Sequence, residues 1–307
     1  MRVTPTRGTT DDPAGRGSPR ESGAEPCPEC GGRGWKIKPD GGAGTAVRCD
    51  CAKRTRNLAY LAQSGIPERY RDCRLSNFKT RSSKTVSRDQ LVAALRQSEH
   101  YVDQFLDLDS GKFTDTGLIY IGPPGTGKTH LAAAVLHELI RRYGVRGRFI
   151  DFTTLLRQIQ ATFGDNASST TDVLRPIFEA EVLVLDELGA QKPGEWMMQT
   201  LYDIINTRYT GRRPTIFTSN YRLRIDTSRP TPSEDHFSYS GAAQAHEQRS
   251  AASGRKIPVA TPSSGNPFTH LETRISPSLV SRIHEMVRPI RLDVDDYRLR
   301  NRPVGRI

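Results

Sequence analysis

The sequence predicts an α/β fold: a three-layer sandwich with a central parallel sheet and helices on both faces, preceded by a small cysteine-rich module. Three observations lead there. The apolar run Leu118–Ile121 reads as a buried strand, Gly122–Thr129 as a glycine loop, and residues 130–140 as a helix, in that order. A second apolar run, Val182-Leu-Val-Leu, ends in Asp186 and Glu187, the pattern of a central parallel strand covered on both faces. Between and beyond them, strand-like and helix-like segments alternate at the spacing of βαβ units.

The glycine loop carries the clearest chemistry. Gly122-Pro123-Pro124-Gly125-Thr126-Gly127-Lys128-Thr129 fills every fixed position of a Walker A loop, and strand and helix flank it as that motif requires. Gly122, Gly125 and Gly127 let the backbone curl so that successive N–H groups face a phosphate. The helix opening at Lys128 adds the positive end of its dipole. Lys128 is placed for the β- and γ-phosphates of a nucleotide, and the Thr129 hydroxyl for magnesium. The competing reading is a glycine-rich turn with a solvated lysine; it leaves the match of both flanking elements unexplained.

The chain has 307 residues, enough for one large α/β domain and something small. Its formal net charge of +11 favours a polyanionic partner, of which nucleic acid is the commonest. No apolar run approaches the roughly 20 residues that cross a bilayer. The N-terminus has arginines without the apolar stretch of a secretory signal, so a cytoplasmic protein with no membrane contact is expected.

Residues 1–26 hold almost nothing to bury and read as a disordered tail. Residues 27–56 form the cysteine-rich module, 57–85 a linker, and 86–307 the main domain. Residues 86–108 read as an amphipathic helix leading to the Walker strand. Arg148–Phe152 reads as a strand, 153–163 as a helix capped by Thr153 or Thr154, 164–170 as a polar loop, and 172–180 as a helix interrupted or begun near Pro176. A helix over 195–209 precedes a strand over 214–220. Residues 226–270 break the rhythm, dense in Ser, Thr, Pro, Gly and Ala, and read as a disordered insertion. A helix over 277–287 and a strand over 290–294 then close the fold.

Four of the five cysteines form two close pairs, Cys27-x-x-Cys30 and Cys49-x-Cys51. In an intracellular protein such pairs argue for a metal over a disulfide, and four thiolates suit structural zinc. Gly31-Gly32 allows a tight turn after the first pair. The second pair is one residue short of the usual ribbon spacing, and a redox pair is the alternative. Cys73 reads as a half-buried structural residue.

In an open parallel sheet, ligands gather outside the carboxyl ends of the strands. Asp186 at such an end would anchor magnesium, and Glu187 would take a proton from an attacking water. Asn220, ending another strand, would hold that water or sense the γ-phosphate. Solvated acids at a strand end and a plain turn asparagine are the alternatives.

Together these residues carry a resemblance. Gly122–Thr129, Val182–Gly189 and Thr218-Ser-Asn220 resemble the Walker A, Walker B and sensor 1 motifs of AAA+ ATPases. Within that P-loop NTPase superfamily the chain resembles the DnaC/DnaI-type replicative helicase loaders and the related IstB transposition ATPases. His130-Leu-Ala-Ala-Ala, Thr207-Arg-Tyr209, Arg213-Pro-Thr-Ile216, Ser281-Arg282-Ile283 and Asp296-Tyr-Arg298 extend the similarity, and the cysteine pairs before Gly65-Ile-Pro-x-Arg-Tyr70 resemble the zinc-bearing front end of many loaders.

The resemblance implies ATP, Mg2+ and Zn2+ as ligands, and ATP hydrolysis. It implies a replicative ring helicase and single-stranded DNA as partners, with self-association through the ATP interface. Arg282 would be the arginine finger reaching a neighbour's γ-phosphate, with Arg274 as a weaker candidate; an ordinary surface arginine is the alternative. The insertion is longer than the family usually carries, and the chain ends too soon after the last strand for a helical lid. A transposition helper acting on duplex DNA is the alternative function. A non-hydrolysing adaptor is a third reading, disfavoured by the intact Lys128, Asp186 and Glu187.

Overall fold

The computed structural model describes residues 26–39, 44–81, 84–107, 110–114, 116–162, 170–223 and 270–300, without the side chains of 299 and 300. The expected tail, polar loop and insertion therefore lie almost wholly outside the described residues. Two compact units divide between Lys53 and Arg54.

The first unit holds an antiparallel hairpin of β1 (Trp35–Lys38) and β2 (Thr45–Arg48), with Trp35 opposite Arg48. Gly31 and Gly32 take the left-handed conformations (φ 59° and 83°) that a side chain would resist, and so make the turn after the first cysteine pair. The helix α1 (Asp50–Gln63) begins in this unit.

The second unit is built on a five-stranded parallel sheet. Its strands are β3 (Gly117–Ile121), β4 (Gly147–Asp151), β5 (Val182–Asp186), β6 (Thr215–Ser219) and β7 (Val287–Arg291), in the order β4-β5-β6-β3-β7. The helices are α2 (Thr85–Asp103), α3 (Lys128–Tyr143), α4 (Phe152–Ala161), α5 (Thr170–Glu179), α6 (Glu195–Thr210), α7 (Pro277–Met286) and the short α8 (Tyr297–Arg300). Side chains alternate across each strand, which divides the core into two layers. Leu118, Tyr120, Val184 and Ile216 pack with α2 and α3. Ile119, Ile121, Leu183, Leu185 and Phe217 pack with α4 to α7. Each such side chain contributes about 1.5–3 kcal/mol by leaving water.

Four expectations are corrected. The cap of α4 is Asp151, which accepts the Thr154 N–H at 2.7 Å, and not Thr153 or Thr154: strand passes directly into helix, so the strand's last residue is the first one free to cap. Helix α5 runs through Pro176 instead of breaking there. The last strand is Val287–Arg291, three residues earlier than the alternation of Ile290, Leu292 and Val294 suggests. Those residues are all buried, but the ladder to β3 ends at Arg291, and Leu292 instead donates its N–H to Ile121 O at 2.8 Å. The segment read as a linker is part of the second unit: Ile66, Cys73 and Leu75 are buried in its core, and Phe149 N–H donates to Ser64 O at 2.7 Å along the edge strand β4. Their irregular spacing follows no helix or strand period, so the sequence pattern does not reveal them.

Candidate active site

The glycine loop leaves β3 and enters α3 without an intervening residue. Gly125 and Gly127 have φ of 75° and 98°. A Cβ on Gly127 would lie 2.7 Å from Phe78 Cε2, so this glycine serves both the turn and the close approach of the aromatic ring. Lys128 is buried, and its Nζ donates to Gly122 O and Pro123 O, each at 2.7 Å. Burial pulls its pKa down to about 8; the Asp186, Glu187 and Asp296 carboxylates oppose that shift and Arg298 adds to it.

Asp186 ends β5. Its Oδ1 accepts the hydroxyls of Thr218 at 2.5 Å and Thr129 at 3.0 Å. Burial raises its pKa to about 6 and the nearby Glu187 and Asp151 carboxylates push the same way, against the two hydroxyl donors. A buried acid beside a threonine at the head of the phosphate-loop helix fits a divalent cation, for which the threonine hydroxyl and the carboxylate are hard oxygen ligands.

Glu187 takes a left-handed conformation (φ 58°), at a cost of about 1–3 kcal/mol for a residue with a side chain. Its N–H donates to Thr218 Oγ1 at 2.9 Å, and Leu188 N–H donates to Thr218 O at 2.8 Å. Thr218 on β6 thus binds the acid that ends β5 and the backbone of the next residue.

A cavity of roughly 350 Å³ lies over the loop. Lys128, Thr129, Glu187 and Asn220 all line it, together with Pro124 to Gly127. Asn220 is exposed at the end of β6. Arg282 is not among the lining residues; its guanidinium lies 4.6 Å from the Tyr202 ring centroid, on the contact between α7 and α6. Arg274 donates from Nε to Gly189 O at 2.9 Å and from an Nη to Ala190 O at 3.0 Å, in the turn after Glu187.

Sequence reasoning assigned no site role to one wall of this cavity. Tyr70, Phe78, Lys79 and Arg81 come from the segment read as a linker, and Val294, Tyr297 and Arg298 from the C-terminal residues. Phe78 meets the His130 ring edge-on at 5.3 Å, Tyr297 N–H donates to Gly125 O at 3.0 Å, and Lys84 pairs with Asp295 at 3.1 Å. The available signal was aromatic side chains in two otherwise polar stretches, at Tyr70, Phe78 and Tyr297.

In the first unit, the Sγ atoms of Cys27, Cys30, Cys49 and Cys51 all lie within 4.8 Å of one another. Cys27 and Cys49 are 3.8 Å apart and Cys30 and Cys51 3.2 Å. Zinc with Zn–S bonds of about 2.3 Å needs thiolates ~3.8 Å apart, so the four sulfurs fit it. The Gly34 N–H donates to Cys30 Sγ at 3.3 Å, the kind of outer contact that steadies a thiolate ligand. The hydrogen bond from Cys51, aided by that N–H, draws the Cys30 thiol down to about 7.

Among the described residues, no helix is long and apolar enough to cross a membrane.

Comparison with known proteins identifies the family of the matched region. The family model of the IstB-like ATP binding protein matches residues 68–226, more than half of the chain. The chain is similar to the protein YqaM of Bacillus subtilis, 28% identical over 184 residues that make up 58% of this chain and 55% of YqaM. It is similar to the replicative helicase loader DnaC of Escherichia coli, 29% identical over 161 residues, 52% of this chain and 60% of that protein. The chain thus spans little more than half the length of these relatives. A crystal structure of the DnaC helicase loader aligns with 73% of this chain and 99% of its own, at 26% identity and a TM-score of 0.47. With Walker A and Walker B residues assembled in the matched region, this chain belongs to the family of IstB-like ATP-binding proteins.

Proposed function

We propose that this protein is an ATP-hydrolysing loader of the AAA+ type that delivers a replicative ring helicase to single-stranded DNA. The observation that carries hydrolysis is the convergence of Lys128, Thr129, Glu187 and Asn220 on one cavity, with Asp186 bonded to Thr129 beside it. Lys128 and the loop N–H groups hold the phosphates, and Thr129 and Asp186 hold magnesium, which supplies charge neutralisation at the β- and γ-phosphates. Glu187 takes the proton of the attacking water, and Asn220 orients that water. Arg282, on the outer α7–α6 contact, serves the nucleotide of a neighbouring copy across the ATP interface.

The similarity to DnaC supports a helicase as the partner. The cysteine module is the grip on it, closed by zinc at Cys27, Cys30, Cys49 and Cys51. The surplus of 45 Lys and Arg over 34 Asp and Glu supports contact with DNA phosphates. The match to the IstB-like model favours a second reading, a transposition helper on duplex DNA; the four-cysteine front end speaks for the loader.

Two measurements test this. Glu187→Gln should keep ATP binding and lose turnover, because only the proton acceptor is removed; a turnover equal to the parent's would sink the base assignment. Affinity capture from the native cell with and without ATP should recover a ring helicase. Recovery of a transposase instead would move the protein to the second reading.

A further inference from the structure

We propose that Arg274 is a positioning residue for Glu187, acting within its own subunit. The inference rests on the reading of Glu187 as the proton acceptor. Glu187 sits in a strained left-handed turn, and such a turn persists only when its surroundings hold it. It is held from two sides. On the β6 side, Thr218 takes the N–H groups of Glu187 and Leu188, and Ser219 Oγ donates to Leu188 O at 2.8 Å. From the segment after residue 270, Arg274 adds a clamp, its Nε and one Nη on the carbonyls of Gly189 and Ala190.

The fit is close. A Cβ on Gly189 would lie 2.9 Å from Leu271 Cδ1 and 3.3 Å from Arg274 Cβ, so only glycine lets the turn pack this tightly on residues 271–274. The Arg274 guanidinium also lies over the Tyr221 ring, 5.1 Å from its centroid, a cation–π contact that adds to its hold. Arg274 is not among the residues lining the cavity, so it acts on the reaction through the turn and touches no substrate. Two of its nitrogens, Nε and one Nη, are engaged in cis, which separates it from a finger that must reach another subunit.

The test uses full-length Arg274→Ala, Arg274→Lys and Glu187→Gln, with binding of a fluorescent ATP analogue and single-turnover hydrolysis measured for each. Displacing a catalytic group by about 1 Å can cost roughly 100-fold. Arg274→Ala should therefore hydrolyse on the order of 10- to 100-fold more slowly with nucleotide affinity within about twofold of the parent. Arg274→Lys, which can still reach one carbonyl, should recover part of the rate. Mixing Arg274→Ala with Lys128→Ala should restore nothing, because clamp and Glu187 belong to one chain. Normal hydrolysis by Arg274→Ala overturns the proposal, and so does recovery on mixing, which would make Arg274 a finger. Loss of affinity in step with rate also overturns it, since that marks a general structural role. If Glu187→Gln itself hydrolyses normally, the failure lies in the assignment of Glu187.

Discussion

Thr129 and Asp186, 57 residues apart, share a hydrogen bond of 3.0 Å. One opens the helix after the glycine loop and the other closes β5, so the bond joins the phosphate-binding half of the site to the half that would hold metal and water. Burial of Asp186 and Lys128 sets how the site responds to pH. Asp186 would have to lose its proton to bind magnesium, and burial raises its pKa to about 6. Lys128 would have to carry its proton to bind phosphate, and burial lowers its pKa to about 8.

Affinity for magnesium-ATP should therefore be highest between about pH 6 and pH 8. Below that window it should fall by up to tenfold per pH unit as Asp186 takes up a proton; above it, it should decline as Lys128 loses one. Titration of a fluorescent nucleotide from pH 5 to pH 9 checks this, and Asp186→Asn should remove the acid limb alone. A flat profile through pH 6 would show that the carboxylate is already ionised in the free protein.

The cysteine module should contain one zinc per chain. Elemental analysis of protein purified without chelator reads this directly, and a content near zero would return the cysteines to the redox alternative. Because ligation and folding are coupled locally, removing the metal should melt the hairpin signals while ATP affinity changes by less than about threefold.

Arg282→Ala should bind ATP normally and hydrolyse it on the order of 10³-fold more slowly, the range seen when a finger is lost. Mixed with Lys128→Ala, it should regain part of the activity, since some interfaces then pair an intact pocket with an intact finger. No recovery at any ratio would place its action within one subunit. Full activity of the single variant would make it a surface arginine held by Tyr202.

Replacing residues 224–269 by about fifteen Gly and Ser residues should leave ATP affinity and turnover within roughly threefold of the parent. The flanks already meet, with Leu271 N–H on Arg222 O at 2.9 Å, and because Arg222 and His270 run parallel the connection needs about a dozen residues to return. A large loss of turnover would show that the excised residues support the site.

The sequence by itself determined the nucleotide loop, the acid pair and the sheet's central strands. These are local signals: glycine positions fixed by backbone conformation, and apolar runs with no polar residue, which a strand buried on both faces demands. It also grouped four cysteines in two close pairs, whose sulfurs the fold brings within 4.8 Å of one another. Tertiary structure alone decided the rest. Tyr70, Phe78, Tyr297 and Arg298 reach the cavity from segments more than 200 residues apart, a closeness no periodicity encodes. From the sequence Arg274 reads as a second finger candidate, and only the fold puts its side chain on the carbonyls of Gly189 and Ala190, 85 and 84 residues away. The final strand stops at Arg291 because hydrogen-bond register with β3, and not the apolar alternation of its side chains, sets where a strand ends.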